Sequence, residues 1–487
     1  MLPKNSANYQ QSLPPSEEEK PNAFLIILPK KYSFINSIKS QSAWLVIAIL
    51  IQALIILFLI RDSNQTFLPS FRVRKTCPNG MVFMYDLPPG FNKALLEKCH
   101  DLHPWKSRCA AVSNAGFGPK ATNLNGVVPA HLIPAWYWTD LYTGEVIYHA
   151  RMLNYKCRTR NPNEAAAFYV PFYAGLAIEK YLWLNYTWKD RDRPCEMVLD
   201  WLRDQPSWKK RNGADHFLML GRLTWAFRRL VDKDSEWGSS FVNMPLMKHV
   251  LKLTVERNPW DELEFSVPWP TGFHPRSKFD IIAWQRYIRA RKRNSMFTFV
   301  GATRKNIKND FRGLLMDYCK SHQSGSRPCK LVDCSVTECL DGAPAILEAF
   351  LDSDFCLQPR GDGYTRRSVI DCMVAGSIPV FFWEKSFKGQ YEWHLPLNAE
   401  SYSVFIEHKN VSEGRVSIKD KLESFSEVEI RKMRETVIDL LPKIVYADSS
   451  SNSHEEDFGN VKDAFDITLE SVLRKVSDLE LAKRNLL

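Results

Sequence analysis

A chain of 487 residues, 45% of them hydrophobic and 12% aromatic, can bury two cores of about 150 to 250 residues each and is too apolar to be disordered. Its formal charge of +10 permits an anionic membrane surface or a phosphorylated ligand. No zinc-finger spacing, RNA-binding aromatic signature or basic low-complexity tail accompanies that charge, so nucleic acid is not expected as a partner.

Residues 1–42 are polar and read as a cytosolic tail. Residues 43–60, AWLVIAILIQALIILFLI, hold only Gln52 as a polar side chain and are just long enough to span a hydrocarbon core of roughly 30 Å. They lie too far from Met1, and lack the small-residue cleavage site, to be a removable signal peptide, so an uncleaved signal anchor is expected. Lys30, Lys31 and Lys39 before it and Arg61, Arg72, Arg74 and Lys75 after it leave the charge bias modest. Cysteines and sequons decide the orientation instead. All eleven Cys lie beyond the anchor, as do the sequons at Asn64, Asn185 and Asn410, which favours a luminal body and a type II topology. Eleven is odd, so at least one thiol stays free or pairs between chains. Cys319, Cys329, Cys334 and Cys339 read as disulfides, zinc being the weaker reading without a Cys-x-x-Cys pair.

Residues 61–76 form a stem, and the body begins near Cys77. Strands are expected at 81–85, 165–172 and 216–220, with a helix at 142–153 and a bridging helix at 277–293. A second alternating unit comes next, with strands at 296–300, 330–332, 355–357 and 378–382 and helices at 307–318, 344–351 and 366–375, the last closed by Gly376. Strands buried on both faces and separated by helices imply parallel sheets. The expected organisation is α/β, with one Rossmann-like domain at 77–293, another at 294–448, and a polar loop and amphipathic helix over 449–487.

The densest chemical signal is FCLQPRGDGYTRRSVIDCMVAGSIPVFF, residues 355–382. A buried strand delivers a Pro-Arg-Gly-Asp-Gly loop to a helix start, where unpaired N–H groups and the helix dipole favour an anion. Thr365 is the expected N-cap. Arg360, Arg366 and Arg367 supply guanidinium groups for a diphosphate, Ser368 lies in the first turn, and Asp371 is placed to accept from ribose hydroxyls or, alternatively, to pair with Arg367 at i,i+4. Arg304, at the end of strand 296–300, is a further diphosphate candidate. Asp-x-Asp pairs occur at Asp190/Asp192, Asp232/Asp234 and Asp352/Asp354, three unlike contexts that point to chance, so no metal site is expected. Phosphate-loop, zincin and nucleophile-elbow motifs are absent.

Several stretches resemble the exostosin-type glycosyltransferases, most closely the plant branch similar to xyloglucan galactosyltransferases: Tyr142 to His149, Glu164 to Tyr173, Asp215-His216-Phe217 with Gly221 to Trp225, Phe273-His274-Pro275, Phe299-Val300-Gly301, the 355–382 motif and Trp393 to Pro396. The resemblance spans about Cys77 to Lys409, and Arg360 and Trp383-Glu384 depart from its pattern. It implies a two-Rossmann GT-B fold, Golgi type II topology and an inverting transfer from a UDP-sugar, UDP-galactose first, without an obligatory metal or cofactor. The implied partners are the polysaccharide acceptor, the Golgi membrane and other wall-polysaccharide glycosyltransferases in a complex. Another donor (UDP-galacturonic acid or a UDP-pentose), a non-catalytic role in such a complex and a membrane-anchored lectin stand as alternatives. Inversion requires a base from the first domain. Glu145, sharing a helix face with His149, is the first choice, and Asp215-His216 the second.

Overall fold

The computed structural model describes residues 50–54, 77–304, 307, 310–337, 339, 343–448 and 458–484. The chain divides into two compact units, 1–71 and 72–487. In the first, only 50–54 are described, and they are helical. The rest of the expected anchor, the stem and Asn64 lie outside the described residues. No helix among the described residues is long and apolar enough to cross a membrane.

The second unit carries two all-parallel sheets. Strands β1 (Met81–Met84), β2 (Arg158–Thr159), β3 (Ala165–Tyr169), β4 (His216–Leu220), β5 (Leu251–Thr254) and β6 (Glu264–Ser266) form a six-stranded sheet in the order β2-β1-β3-β4-β5-β6. Strands β7 (Ser295–Gly301), β8 (Cys329–Asp333), β9 (Ser353–Gln358), β10 (Ile378–Phe381) and β11 (Val404–Phe405) form a five-stranded sheet in the order β11-β10-β9-β7-β8. Every residue of β4, β7, β9 and β10 is buried, which is why their central residues are largely apolar, as at Phe355 to Leu357 in β9, rather than alternating. In the second sheet the chain leaves β7 for β8 on one side and returns to β9 on the other. Connections therefore diverge at the β7/β9 boundary and leave a crevice beyond the carboxyl ends of those two strands.

Helix Arg367–Val374 follows β9 and is the element that matters most for the site. It ends in a left-handed turn at Gly376 (φ +71°), whose N–H donates to Met373 O, as the sequence predicts. Three attachments fix it. Cys356 and Cys372 join it to β9 through a disulfide. Trp284, fully buried on the bridging helix Lys278–Ala290, donates Nε1–H to Val374 O at 2.8 Å. The long helix Glu427–Ile444 packs along it, and opens with a capping box between Ser426 and Glu429. The final helix, Ala464–Arg484, returns to the first sheet, where Phe465 packs on Tyr148 and the Thr468 hydroxyl accepts from Tyr148 Oη at 3.0 Å. Arg151 pairs there with Asp463 and with Asp466.

The remaining disulfides join Cys77–Cys157, Cys99–Cys109, Cys319–Cys329 and Cys334–Cys339. The odd thiol is Cys195, buried in the first sheet's helical layer. The helix expected from 307 begins at Phe311, because the Asp310 carboxylate caps it by accepting from Arg312 N and Gly313 N. Several elements outside the sequence expectation complete the sheets: β2, β5, β6 and β11 are each four residues or fewer, too short to show a period.

Candidate functional site

A cavity of about 270 Å³ opens at the β7/β9 crevice. One wall comes from the first sheet's loops, through Leu141, Tyr142, Leu223 and Trp269; the other comes from Val300, Arg312, Gly361, Asp362 and the segment Thr365 to Ser368, with Asp371. Residues from both sheets thus meet where their strands end.

Arg366 dominates its electrostatics. It holds the N-cap position of helix Arg367–Val374, and no side chain caps that helix. Its Nη1 is shut off from solvent and meets no hydrogen-bond acceptor among the described residues. Burial, and then the neighbouring Arg312 and Arg304, lower its pKa to about 9, with Asp362 opposing. Burial and Arg304 likewise lower that of Arg312. Three guanidinium groups thus crowd an uncapped helix start, and the acids that act on them are already engaged, the exposed Asp362 with Arg304 and Asp310 with the backbone N–H groups of Arg304, Arg312 and Gly313. A polyanion is what such an arrangement lacks: it would supply acceptors to Arg366, relieve the repulsion and meet the helix N–H groups.

The other residues chosen from sequence fare differently. Thr365 is not the cap. Its hydroxyl is taken across the cleft by Val255 O (3.2 Å) and Glu256 Oε2 (3.0 Å), and Trp269 Nε1 donates to it at 3.3 Å. Arg367 is committed to Asp371 Oδ2 (3.1 Å) and to Thr139 O, so the i,i+4 pairing is the arrangement present; Asp371 nevertheless lines the cavity, its pKa raised by burial against the pull of Arg367. Ser368 Oγ donates to Gln358 Oε1 at 2.7 Å and ties the first helical turn to β9. Arg360 turns outward over the rings of Tyr364 and Trp383.

Glu256 is the residue that sequence reasoning missed. Following β5, it accepts from the backbone N–H of Thr365 at 2.6 Å as well as from its hydroxyl, and holds the loop from the opposite sheet. Burial raises its pKa. A Cβ at Gly363 would lie 2.3 Å from its carboxylate, so any side chain there would push Glu256 off Thr365. Arg312 is a second residue that the sequence does not single out; it takes its place on the cavity wall once Asp310 starts the helix.

A family model described as the Exostosin GT47 domain matches residues 76–422. The chain belongs to the exostosin GT47 family. It is 51% identical over 404 residues to the xyloglucan galactosyltransferase XLT2 of Arabidopsis thaliana, covering 83% of this chain and 76% of that protein. It is 40% identical to the xyloglucan galactosyltransferase MUR3 (83% of this chain, 63% of that one) and 39% identical to the xyloglucan-specific galacturonosyltransferase 1 (82% and 58%), both from the same plant. Among solved structures, a glycosyltransferase from Rickettsia africae matches with a TM-score of 0.32 at 10% identity over 70% of this chain and 93% of that one, too distant to carry an argument.

Within this GT47 chain the first sheet offers two separate acid-base groups. Glu145 opens helix Gly144–Leu153 at the carboxyl ends of β3 and β4 and is 1% exposed. Its Oε1 accepts from Gly175 N (2.6 Å) and Gly221 N (2.9 Å), while burial lifts its pKa from 4.5 to about 7. His149, a turn further on, pairs with the Tyr173 hydroxyl at 2.8 Å, and burial lowers its pKa. Asp215 and His216 lie at the other end of β4, roughly 15 Å along the strand from Gly221. There His216 is fully buried between Asp215 Oδ1 and Tyr85 Oη, both at 2.7 Å. The structure does not bring that pair to the cavity.

The three Asp-x-Asp pairs are spent on structure: Asp190 caps a helix, Asp192 and Asp232 hold Arg229, Asp234 accepts from Trp188 N, Asp352 bonds Asn294, and Asp354 pairs with Arg434. Among the described residues no group of three or more His, Cys, Asp or Glu is placed to hold a metal ion.

Proposed function

We propose that this chain transfers galactose from UDP-galactose to a xyloglucan side chain, with inversion, as a GT-B enzyme whose donor half is residues 294–448 and whose acceptor half is 77–293. The observation that carries the donor half is Arg366, a half-buried guanidinium at an uncapped helix start whose Nη1 is shut off from solvent without an acceptor among the described residues. In this reading the diphosphate lies across the first turn of helix Arg367–Val374. Arg366 and Arg312 grip its oxygens and offset the charge that grows on UDP as the glycosidic bond breaks. Glu256 keeps the loop at Thr365 closed. The sugar identity is supported by the likeness to galactosyltransferases. Glu145 takes the acceptor proton, because burial has brought its carboxyl into the range a base needs. In the present arrangement it is 1% exposed and is not among the residues that line the cavity, so acceptor binding has to open a path to it.

The five disulfides and the exposed Asn185, beside the helix cap at Thr187, support a luminal Golgi body held by residues 43–60 as a type II anchor. Asn410 is half-buried in the short helix His408–Ser412, where its side chain accepts from Arg415, so of these two sequons Asn185 is the better acceptor.

One observation favours a second donor. Arg360 presents an exposed cation beside the site loop, and a relative at 39% identity is a galacturonosyltransferase, so UDP-galacturonic acid belongs in the same assay. The test is a donor-by-acceptor screen of the full chain with linkage analysis. Galactosylated xyloglucan is the expected product; absence of UDP release with every UDP-sugar on every wall glycan would sink the enzyme reading.

A further inference from the structure

Away from the donor cavity, four tryptophans stand in a row on the first sheet's side. Trp105 and Trp183 have ring centroids 5.6 Å apart, Trp183 and Trp237 5.0 Å, and Trp237 and Trp225 5.8 Å, with His103 set between the first two. The rings at the two ends are open to solvent, Trp105 at 69% and Trp225 at 42% exposure. The middle pair, Trp183 and Trp237, is half-buried against the core, and it joins two indoles left outside into one aromatic ridge; exposed apolar patches of this kind mark binding surfaces.

The row is also built rigidly. Arg108, Glu179 and Arg222 form a buried ion cluster, in which Glu179 is ion-paired with Arg108 Nε at 3.2 Å and Arg222 Nη2 at 3.0 Å, while Asp140 accepts hydrogen bonds from Arg108 at 2.6 and 2.9 Å. Trp105 lies three residues before Arg108, Trp183 four after Glu179, and Trp225 three after Arg222. One cluster therefore anchors the three loops that carry these rings. The fourth is fixed beside them, because Gly238 (φ +83°) packs so closely on Ala226 that a Cβ would sit 2.5 Å from its carbonyl. The loop that carries Trp225 also reaches the donor cavity. Leu223, two residues before Trp225, lines that cavity, and the Arg222 guanidinium lies over the ring of Tyr142, another of its walls, at 4.6 Å.

We propose that this row is a platform for the acceptor polysaccharide: the neutral glycan backbone lies along the indole faces and delivers its side chain to the cavity. The proposal rests on the galactosyl-transfer reading above. A pyranose ring offers one face of C–H groups that packs on an aromatic face, and its hydroxyls stay in water. A neutral glycan is preferred to an anionic ligand because the charges beneath the row are spent on one another.

The test compares Trp105→Ala, Trp225→Ala and the double variant of the full chain on polymeric xyloglucan and on an oligosaccharide of one repeat unit, with UDP-galactose as donor. Each single variant is expected to raise KM for the polymer about tenfold. kcat, KM for the short acceptor, KM for UDP-galactose and the melting temperature should stay at wild-type values, and Trp225→Phe should recover part of the loss. An unchanged polymer KM, or an equal rise for both acceptors, overturns the proposal. So does sedimentation of the wild type as a dimer that the double variant dissociates. Native electrophoresis through xyloglucan-loaded gel reads the platform without turnover: retardation of the wild type but not of the double variant supports it, and equal mobility overturns it, even if no UDP-sugar proves to be a substrate.

Discussion

Glu145 and Arg366 are displaced in pKa toward their neutral forms by the same cause, burial, and the two differ in what surrounds them. Glu145 has two backbone N–H donors and reaches about 7; Arg366 has further cations for neighbours and falls to about 9. For Glu145 the consequence for stability has a definite sign. Its folded-state pKa exceeds the unfolded value of 4.5, so the folded chain holds the proton more tightly, and this contribution is full below pH 4.5 and lost as pH rises to about 7. Glu145→Gln keeps an acceptor for Gly175 and Gly221 and should remove about 3 kcal/mol of that pH dependence, measured as the wild-type minus variant difference in urea unfolding between pH 5 and 8. If Glu145 is the base, the same variant lowers kcat by about 10²- to 10⁴-fold and flattens the rise of rate around pH 7. A variant that loses the pH dependence of stability but keeps kcat would make Glu145 a positioning residue for the Gly175 and Gly221 turns.

Among elements, helix Arg367–Val374 was legible from sequence because its apolar face, Gly376 and the preceding glycine-rich loop agree on one reading. Its cap was not. Thr365 has the right chemistry at the right place, but Glu256 and Trp269 compete for its hydroxyl from a different sheet, and no local pattern records a partner 109 residues away. The same limit hid Glu256 itself, which follows a four-residue strand. The Cys356–Cys372 pairing was equally silent, since spacing alone does not choose among eleven cysteines. That disulfide closes a loop of 16 residues between β9 and the site helix. Replacing both cysteines with Ala should cost about 3 kcal/mol in denaturant unfolding. Because Arg366 stands at the start of the same helix, affinity for UDP should fall with it; unchanged stability and UDP affinity in the double variant would show that Trp284 and helix Glu427–Ile444 hold the helix without the bond.

At the scale of the whole molecule, the two parallel sheets were legible as buried apolar runs alternating with helical periods, and the donor loop through the rule that such sheets bind at the ends of their strands. The return of the final helix to the first sheet was not legible in the sequence, because its apolar stripe says that it is covered but not by what. It is fastened by an ion cluster, in which the buried Arg151 and Asp463 meet the half-buried Asp466, and burial together with Asp463 raises the pKa of Asp466. Arg151→Met leaves two acids facing each other and should cost about 3–5 kcal/mol at pH 7, and less at pH 5, because the raised pKa of Asp466 lets it take up a proton as pH falls and relieve the repulsion. Equal losses at both pH values would place the anchorage in the Tyr148 and Phe465 packing instead.

The central claim, that Arg366 awaits a nucleotide diphosphate, is tested most directly by calorimetric titration of UDP into the wild type and Arg366→Ala. The wild type should bind UDP. The variant should bind about 10- to 100-fold more weakly, the loss of one or two charge-assisted hydrogen bonds, while melting no lower, since a charge crowded by Arg312 and Arg304 and lacking an acceptor at Nη1 among the described residues has been removed. UDP bound as tightly by the variant as by the wild type would contradict the claim.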